Sequence, residues 1–143
     1  MWHIVLIAKG IGAAMTTRYE IHSESGITII TMNFEVTRDD LISALGEVVE
    51  SYPFERRLWD MSKVEFNLST AEMRDVSDVS KRLITTPNRV AFAVGDPLAY
   101  GKIRQFMVYR EGDLTVPGVF NTRAAAYDWL LGEQFANTVL SPA

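Results

Sequence analysis

Hydrophobic and polar positions recur with two different periods along the chain, and the switches between them mark out the elements. "RYEIHSE" and "GITIITMNF" alternate with the period of two expected of strands, and Ser25-Gly26 between them is a tight-turn pair. Residues 18–34 therefore read as a hairpin. Beyond it the period lengthens. Leu41, Leu45, Val48, Val49 and Tyr52 return every three or four residues, behind Thr37 and Asp40 at the spacing of a helix-start signal. Pro53 ends that helix.

The same alternation of periods repeats downstream. "RRLWDM" is the next strand, and Ser69-Thr70-Ala71-Glu72 is a second capping pattern that opens a helix to about Ile84, with Met73, Val76, Val79 and Leu83 inward. Pro87 and Asn88 break it. "RVAFAVG" is an unbroken apolar run, as expected of a strand covered on both faces. Asp96 followed by Pro97 starts a helix over 98–110 that carries Ile103, Phe106 and Met107. "VPGVF" is a strand whose Pro117 suits a sheet edge. Asn121 then caps "TRAAAYDWLLG", which buries Ala126, Trp129 and Leu130 and stops at Gly132. The order β-β-α-β-α-β-α-β-α predicts an α/β fold, a mixed and mostly parallel sheet with an N-terminal hairpin and covering helices.

Residues 1–14 differ from the rest and read as an extension to a domain over 15–143, with Met15 able to serve as a second start. Ile4 to Ala8 has strand character. Gly10 and Gly12 imitate a dinucleotide-binding turn, yet Met15 stands where a third small residue is needed, and a strand pattern follows instead of a helix. The apolar start lacks a basic leader and Lys9 interrupts it, so a secretory signal is not expected and a cytoplasmic location is. An apolar strand outside the core is an edge-pairing hazard. It predicts a homodimer paired through residues 2–8, or else a strand folded back onto its own sheet.

Composition removes whole classes of function. At 143 residues the chain is one domain with a core of its own, and no run approaches the ~20 apolar residues of a membrane helix. A net charge of −4 argues against a nucleic-acid partner, which wants a basic stripe; Arg56-Arg57 and Lys81-Arg82 read as solvated edges. Cysteine is absent, excluding disulfides, thiol nucleophiles and thiolate metal sites.

Candidate chemistry is correspondingly thin. His3 and His22 are the only imidazoles, neither with the set of ligands a metal requires. The acidic pairs Asp39-Asp40, Glu72 with Asp75, and Asp75 with Asp78 read as solvated helix faces. No catalytic residue, metal or cofactor is expected. Position is more informative, because ligands of open α/β sheets gather beyond the carboxyl ends of the strands. Asp60, Gly95 and Asp96 lie there. Asp60 would cap the following turn or line a site, and Gly95 would permit a close backbone approach or a positive φ.

"RRLWDMSKVEFNLSTAEM", "RVAFAVGD" and "VPGVFNTRAAAYDWLLG" together resemble the STAS domains, in particular the bacterial SpoIIAA-like (STAS/SEC14-type) family, over roughly residues 15–132. Val119-Phe120, Ala126 and Trp129-Leu130 match that family's closing strand and helix. The resemblance implies a non-enzymatic regulatory module that acts on a protein partner. The Asp-Ser-Ser-Gly loop of phosphorylated members would fall on Leu68-Ser69-Thr70-Ala71. Ser69 keeps the hydroxyl while Leu68 and Ala71 depart, which argues against a kinase-regulated switch and for Ser69 as a helix cap. The SEC14 side of the resemblance implies an alternative, an apolar or lipid-like ligand between the sheet and the 98–110 helix near Trp59, Phe92, Phe106 and Met107. Those four read first as core. A cavity among them would put ligand binding ahead of a protein partner.

Overall fold

A computed structural model describes residues 2–6, 17–52, 55–110 and 114–140, with side chains over 18–52, 55–109 and 114–132. The strands are β1 (Trp2–Leu6), β2 (Thr17–Glu24), β3 (Ile27–Met32), β4 (Arg56–Met61), β5 (Asn88–Val94) and β6 (Thr115–Phe120). The helices are α1 (Arg38–Ser51), α2 (Thr70–Leu83), α3 (Pro97–Arg110) and α4 (Arg123–Leu140). The fold is α/β, as the alternation of periods predicts.

Strand order in the sheet follows chain order, β1-β2-β3-β4-β5-β6. The β1–β2 and β2–β3 pairings are antiparallel and the three others parallel. Ser25 (φ 55°) and Gly26 (φ 75°) both occupy the left-handed region, which matches the right-handed twist of a two-residue hairpin. From β3 onward each crossover moves one strand along in the same direction. Right-handed connections then place α1, α2 and α3 on one face of the sheet, and only α4 covers the other.

Period-two alternation sorts the strand residues between these faces. Tyr19, Ile21, Ile30, Met32, Trp59, Met61, Val90, Phe92 and Val94 meet the three helices. Ile27, Ile29, Leu58, Ala91 and Ala93 meet Ala126 and Leu130 of α4. β5 is buried on both sides, as its apolar run predicts. Its small residues, with Gly118 on β6, let α4 lie close: a Cβ on Gly118 would stand 3.3 Å from the Trp129 ring.

Local signals explain most of the boundaries. Thr37 Oγ1 accepts from Asp40 N at 3.1 Å, and Ser69 and Glu72 form a reciprocal capping box at 3.1 and 3.0 Å. Asp96 Oδ1 accepts from Leu98 N at 3.1 Å, and Pro97 is the first residue of α3.

Several expectations are corrected. Thr122, not Asn121, caps α4, accepting from Ala125 N at 3.1 Å. Gly132 does not stop that helix, which continues to Leu140; a glycine in a helix interior costs about 1 kcal/mol, and the continuing segment outweighs it. Leu83 is exposed, because the inward stripe of α2 runs through Met73, Val76, Ser77 and Ser80. Asp40 is buried against Arg18 of β2 at 2.7 Å, and that hydrogen bond holds the guanidinium above its ordinary pKa. Arg57 is buried as well, 5% exposed, because alternation puts it on the same face as Trp59 and Met61.

β1 pairs with β2, Trp2 opposite His22 and Val5 opposite Tyr19, so the N-terminal strand joins its own sheet. It begins two residues before the expected Ile4. The glycines at 10 and 12, Met15, Pro53 and the side chain of His3 lie outside the described residues.

Candidate functional site

At the carboxyl ends of the parallel strands the expected residues are present, and each has a structural task. Asp60, on the α4 face of β4, accepts from Ser62 N at 3.1 Å and from the Ser62 hydroxyl at 2.6 Å through Oδ1. Its Oδ2 stands 3.6 Å from Arg123 at the start of α4. It caps the turn and anchors the helix. Gly95 has no positive φ; its role is close approach, since a Cβ there would lie 2.5 Å from the Ser62 carbonyl oxygen. Asp96 and Ser69 are occupied as helix caps. These four residues share one end of the sheet, but Asp60 faces α4 and the other three do not join it around a common space.

Below that rim lies a cavity. It runs beneath α2, between that helix and β4–β5, with α1 and α3 as side walls, and has a volume of about 50 Å³. Trp59 and Phe92 form the floor, Leu41 and Leu45 one wall, Ile103 and Phe106 the other. The Phe92 and Phe106 rings meet edge to face at 5.7 Å. Met107 packs against the same core one position outside it. Trp59, Phe92 and Phe106, expected on sequence grounds to surround an apolar guest, do border a space together.

Physical chemistry sets how unusual this space is. Core voids larger than a water are few in any domain, and at 10–15 Å³ per water-sized group this one has room for about four. Its lining is almost wholly apolar, so water gains few hydrogen bonds there. The exceptions are Arg57 and Ser80, both at the end formed by the beginning of β4 and the last turn of α2.

Those two residues escaped the reading of the sequence. The signal was available. If Trp59 and Met61 point into the core, the period of two sends Arg57 the same way, and the true stripe of α2 passes through position 80. Arg57 Nη2 donates to Asn88 Oδ1 at 2.6 Å. Asn88 Nδ2 is shared among Thr86 O, Leu114 O and Thr115 Oγ1 at 2.9, 3.1 and 3.0 Å, which fixes the amide so that its oxygen faces Arg57.

A second polar contact was also missed. His22 is buried on the α4 face, and Nε2 lies 2.6 Å from Glu24 Oε1, while Tyr127 of α4 donates to Glu24 Oε2 at 3.1 Å. The hydrogen bond with His22, and then that from Tyr127, hold the Glu24 carboxyl below its ordinary value of 4.5. Among the described residues no three His, Asp or Glu side chains converge as metal ligands would, and no helix is long and apolar enough to cross a membrane.

No family model matches the chain, and no curated protein matches it in sequence.

Proposed function

We propose that this chain is a non-enzymatic module of the STAS/SpoIIAA-like kind whose working part is the cavity beneath α2, and that it binds a small apolar or lipid-like molecule there. One observation carries the reading: Trp59, Phe92 and Phe106, with residues of α1 and α2, border about 50 Å³ of apolar space. The α/β architecture and the order of its elements from β2 to α4 support the resemblance to that family. The tasks already held by Asp60, Ser69, Gly95 and Asp96 weigh against a reaction at the carboxyl ends of the strands.

Native mass spectrometry of freshly purified full-length protein tests this. A discrete small-molecule adduct that is lost when Phe106→Trp narrows the cavity is the expected result. A bare chain that also fails to take up propan-1-ol, whose four non-hydrogen atoms match the space, in an NMR titration would refute it.

A protein partner is the second reading, favoured by α3. Leu98 and Val108 stand 67% and 71% exposed on that helix, the most exposed large apolar side chains among the described residues. The same spectrum separates the two, since a protein-sized adduct would point to α3.

A further inference from the structure

We infer that a second recess, at the amino ends of β4, β5 and β6, binds a small monocarboxylate with an apolar body, and that Arg56 is its anion-binding residue. The recess shares no lining residue with the cavity beneath α2, so the two sites stand apart.

The recess has a volume of about 190 Å³, room for about a dozen water-sized groups. It lies at the opposite end of the parallel strands from Asp60 and Gly95. Arg56, Arg89 and Glu55 supply its charges, and Pro87, Leu114 and Val116 its apolar walls. Asn88 also borders it but is already committed, its oxygen to Arg57 and its nitrogen to Thr86, Leu114 and Thr115.

Arg56 is the charge these surroundings leave unanswered. The alternation of β4 puts it on the α4 face with Leu58, beside Ile27 of β3 and Arg89 of β5. It is half-buried, not a solvated edge, and its Nε is closed off from solvent with no hydrogen-bond partner among the described residues. No ion pair engages the guanidinium there either. Glu55 comes one residue earlier, and consecutive residues of an extended chain point apart. Glu24, in the same row two strands away, is taken by His22 and Tyr127. Arg89 is a like charge, held 6.0 Å from the centre of the Trp129 ring, and serves as a wall. A guanidinium that gives up water at Nε without gaining a partner calls for an acceptor from outside the fold.

The ligand's chemistry follows from that set. Nε and a terminal nitrogen of one guanidinium form a fork that fits the two oxygens of a carboxylate. One guanidinium balances one negative charge, and Glu55 in the same lining repels a second, which disfavours phosphate. The three apolar walls favour a hydrocarbon body over a further polar group.

The test compares benzoate with benzyl alcohol, the same ring with and without the charge, by NMR titration of the full-length protein. Neither probe fits the 50 Å³ cavity beneath α2, so binding there does not confuse the result. Benzoate should bind about tenfold more tightly, the gain of a charged hydrogen bond over a neutral one, and should move the Arg56 Nε–H resonance. Arg56→Gln should erase that difference while benzyl alcohol binds as before. With no internal partner to lose, this variant should unfold in urea at the wild-type midpoint or above. A clearly lower midpoint would mark Arg56 as a structural charge and overturn the assignment. Equal affinity of the wild type for both probes, or a response to neither, would overturn it as well. Tighter binding of inorganic phosphate than of benzoate would overturn the monocarboxylate class.

Discussion

A void and a filled core respond to an added methylene with opposite signs, so the space beneath α2 can be tested by filling it. Val76 on α2 and Val90 on β5 both line it, and Val→Ile at either adds one methylene without altering the β-branched backbone preference. At about 24 cal/mol per Å³, a 50 Å³ cavity corresponds to about 1.2 kcal/mol of lost contacts. Burying one methylene is worth about 0.8 kcal/mol, and two take up about half the volume at 10–15 Å³ each. Each single substitution should therefore stabilise by about 0.5–1 kcal/mol, and the double by about 0.8–1.5, less than additive because both draw on one space. Urea denaturation should show a higher midpoint at an unchanged slope, and the melting temperature should rise by about 2–4 °C per kcal/mol. The filled variant should also bind propan-1-ol more weakly. In a core already packed, the same methylenes would destabilise by about 1–3 kcal/mol. That sign would refute both the cavity and the function built on it.

How much of this could be read from the chain differs between backbone and site. Turns and caps are local: Ser25-Gly26, Thr37, Ser69 and Asp96-Pro97 act within four residues of themselves, and a sequence displays them in full. The inward faces were legible wherever the period was clean, as in β5. They slipped where polar residues interrupt it, so the buried Ser77 and Ser80 went unread and Leu83 was placed in the core. Arg57 and Asp40 were misjudged for one common reason. Their partners Asn88 and Arg18 lie 31 and 22 positions away in sequence, and only the tertiary fold brings them close. Trp59, Phe92 and Phe106 could be placed on one core face from spacing alone. Whether the space between these rings and α2 is filled depends on how far α2 stands from the sheet, and no local pattern encodes that distance.

Ser69→Ala should lose about 1 kcal/mol by removing the capping acceptor, whereas Ser69→Asp should stay near wild type because it keeps an acceptor at the positive end of α2; equal stability of the alanine variant in urea would remove the cap. Gly95→Ala should destabilise by about 1–3 kcal/mol, since its Cβ meets a backbone oxygen that cannot turn aside; a neutral result would show that the β4 and β5 loops move apart freely. The carboxyl of Glu24 is depressed in the folded state, so the unfolded chain binds its proton first on acidification. Its stabilising contribution is present above pH 4.5 and lost as pH falls through the folded value, and Tyr127→Phe, which removes one of the two hydrogen bonds, should lessen that loss. Identical acid limbs in both proteins would contradict this. The last prediction concerns β1. In-chain pairing covers the β2 edge, leaving a five-residue edge strand in place of an eight-residue one, and short edges resist pairing with a second chain. A chain starting at Met15 uncovers the longer edge. It should keep a folded far-UV spectrum, because the buried clusters are assembled from residues 19–130, yet sediment with more self-association than the full-length chain. The opposite change, a full-length dimer that falls apart on removal of residues 1–14, would put β1 at an interface between two copies.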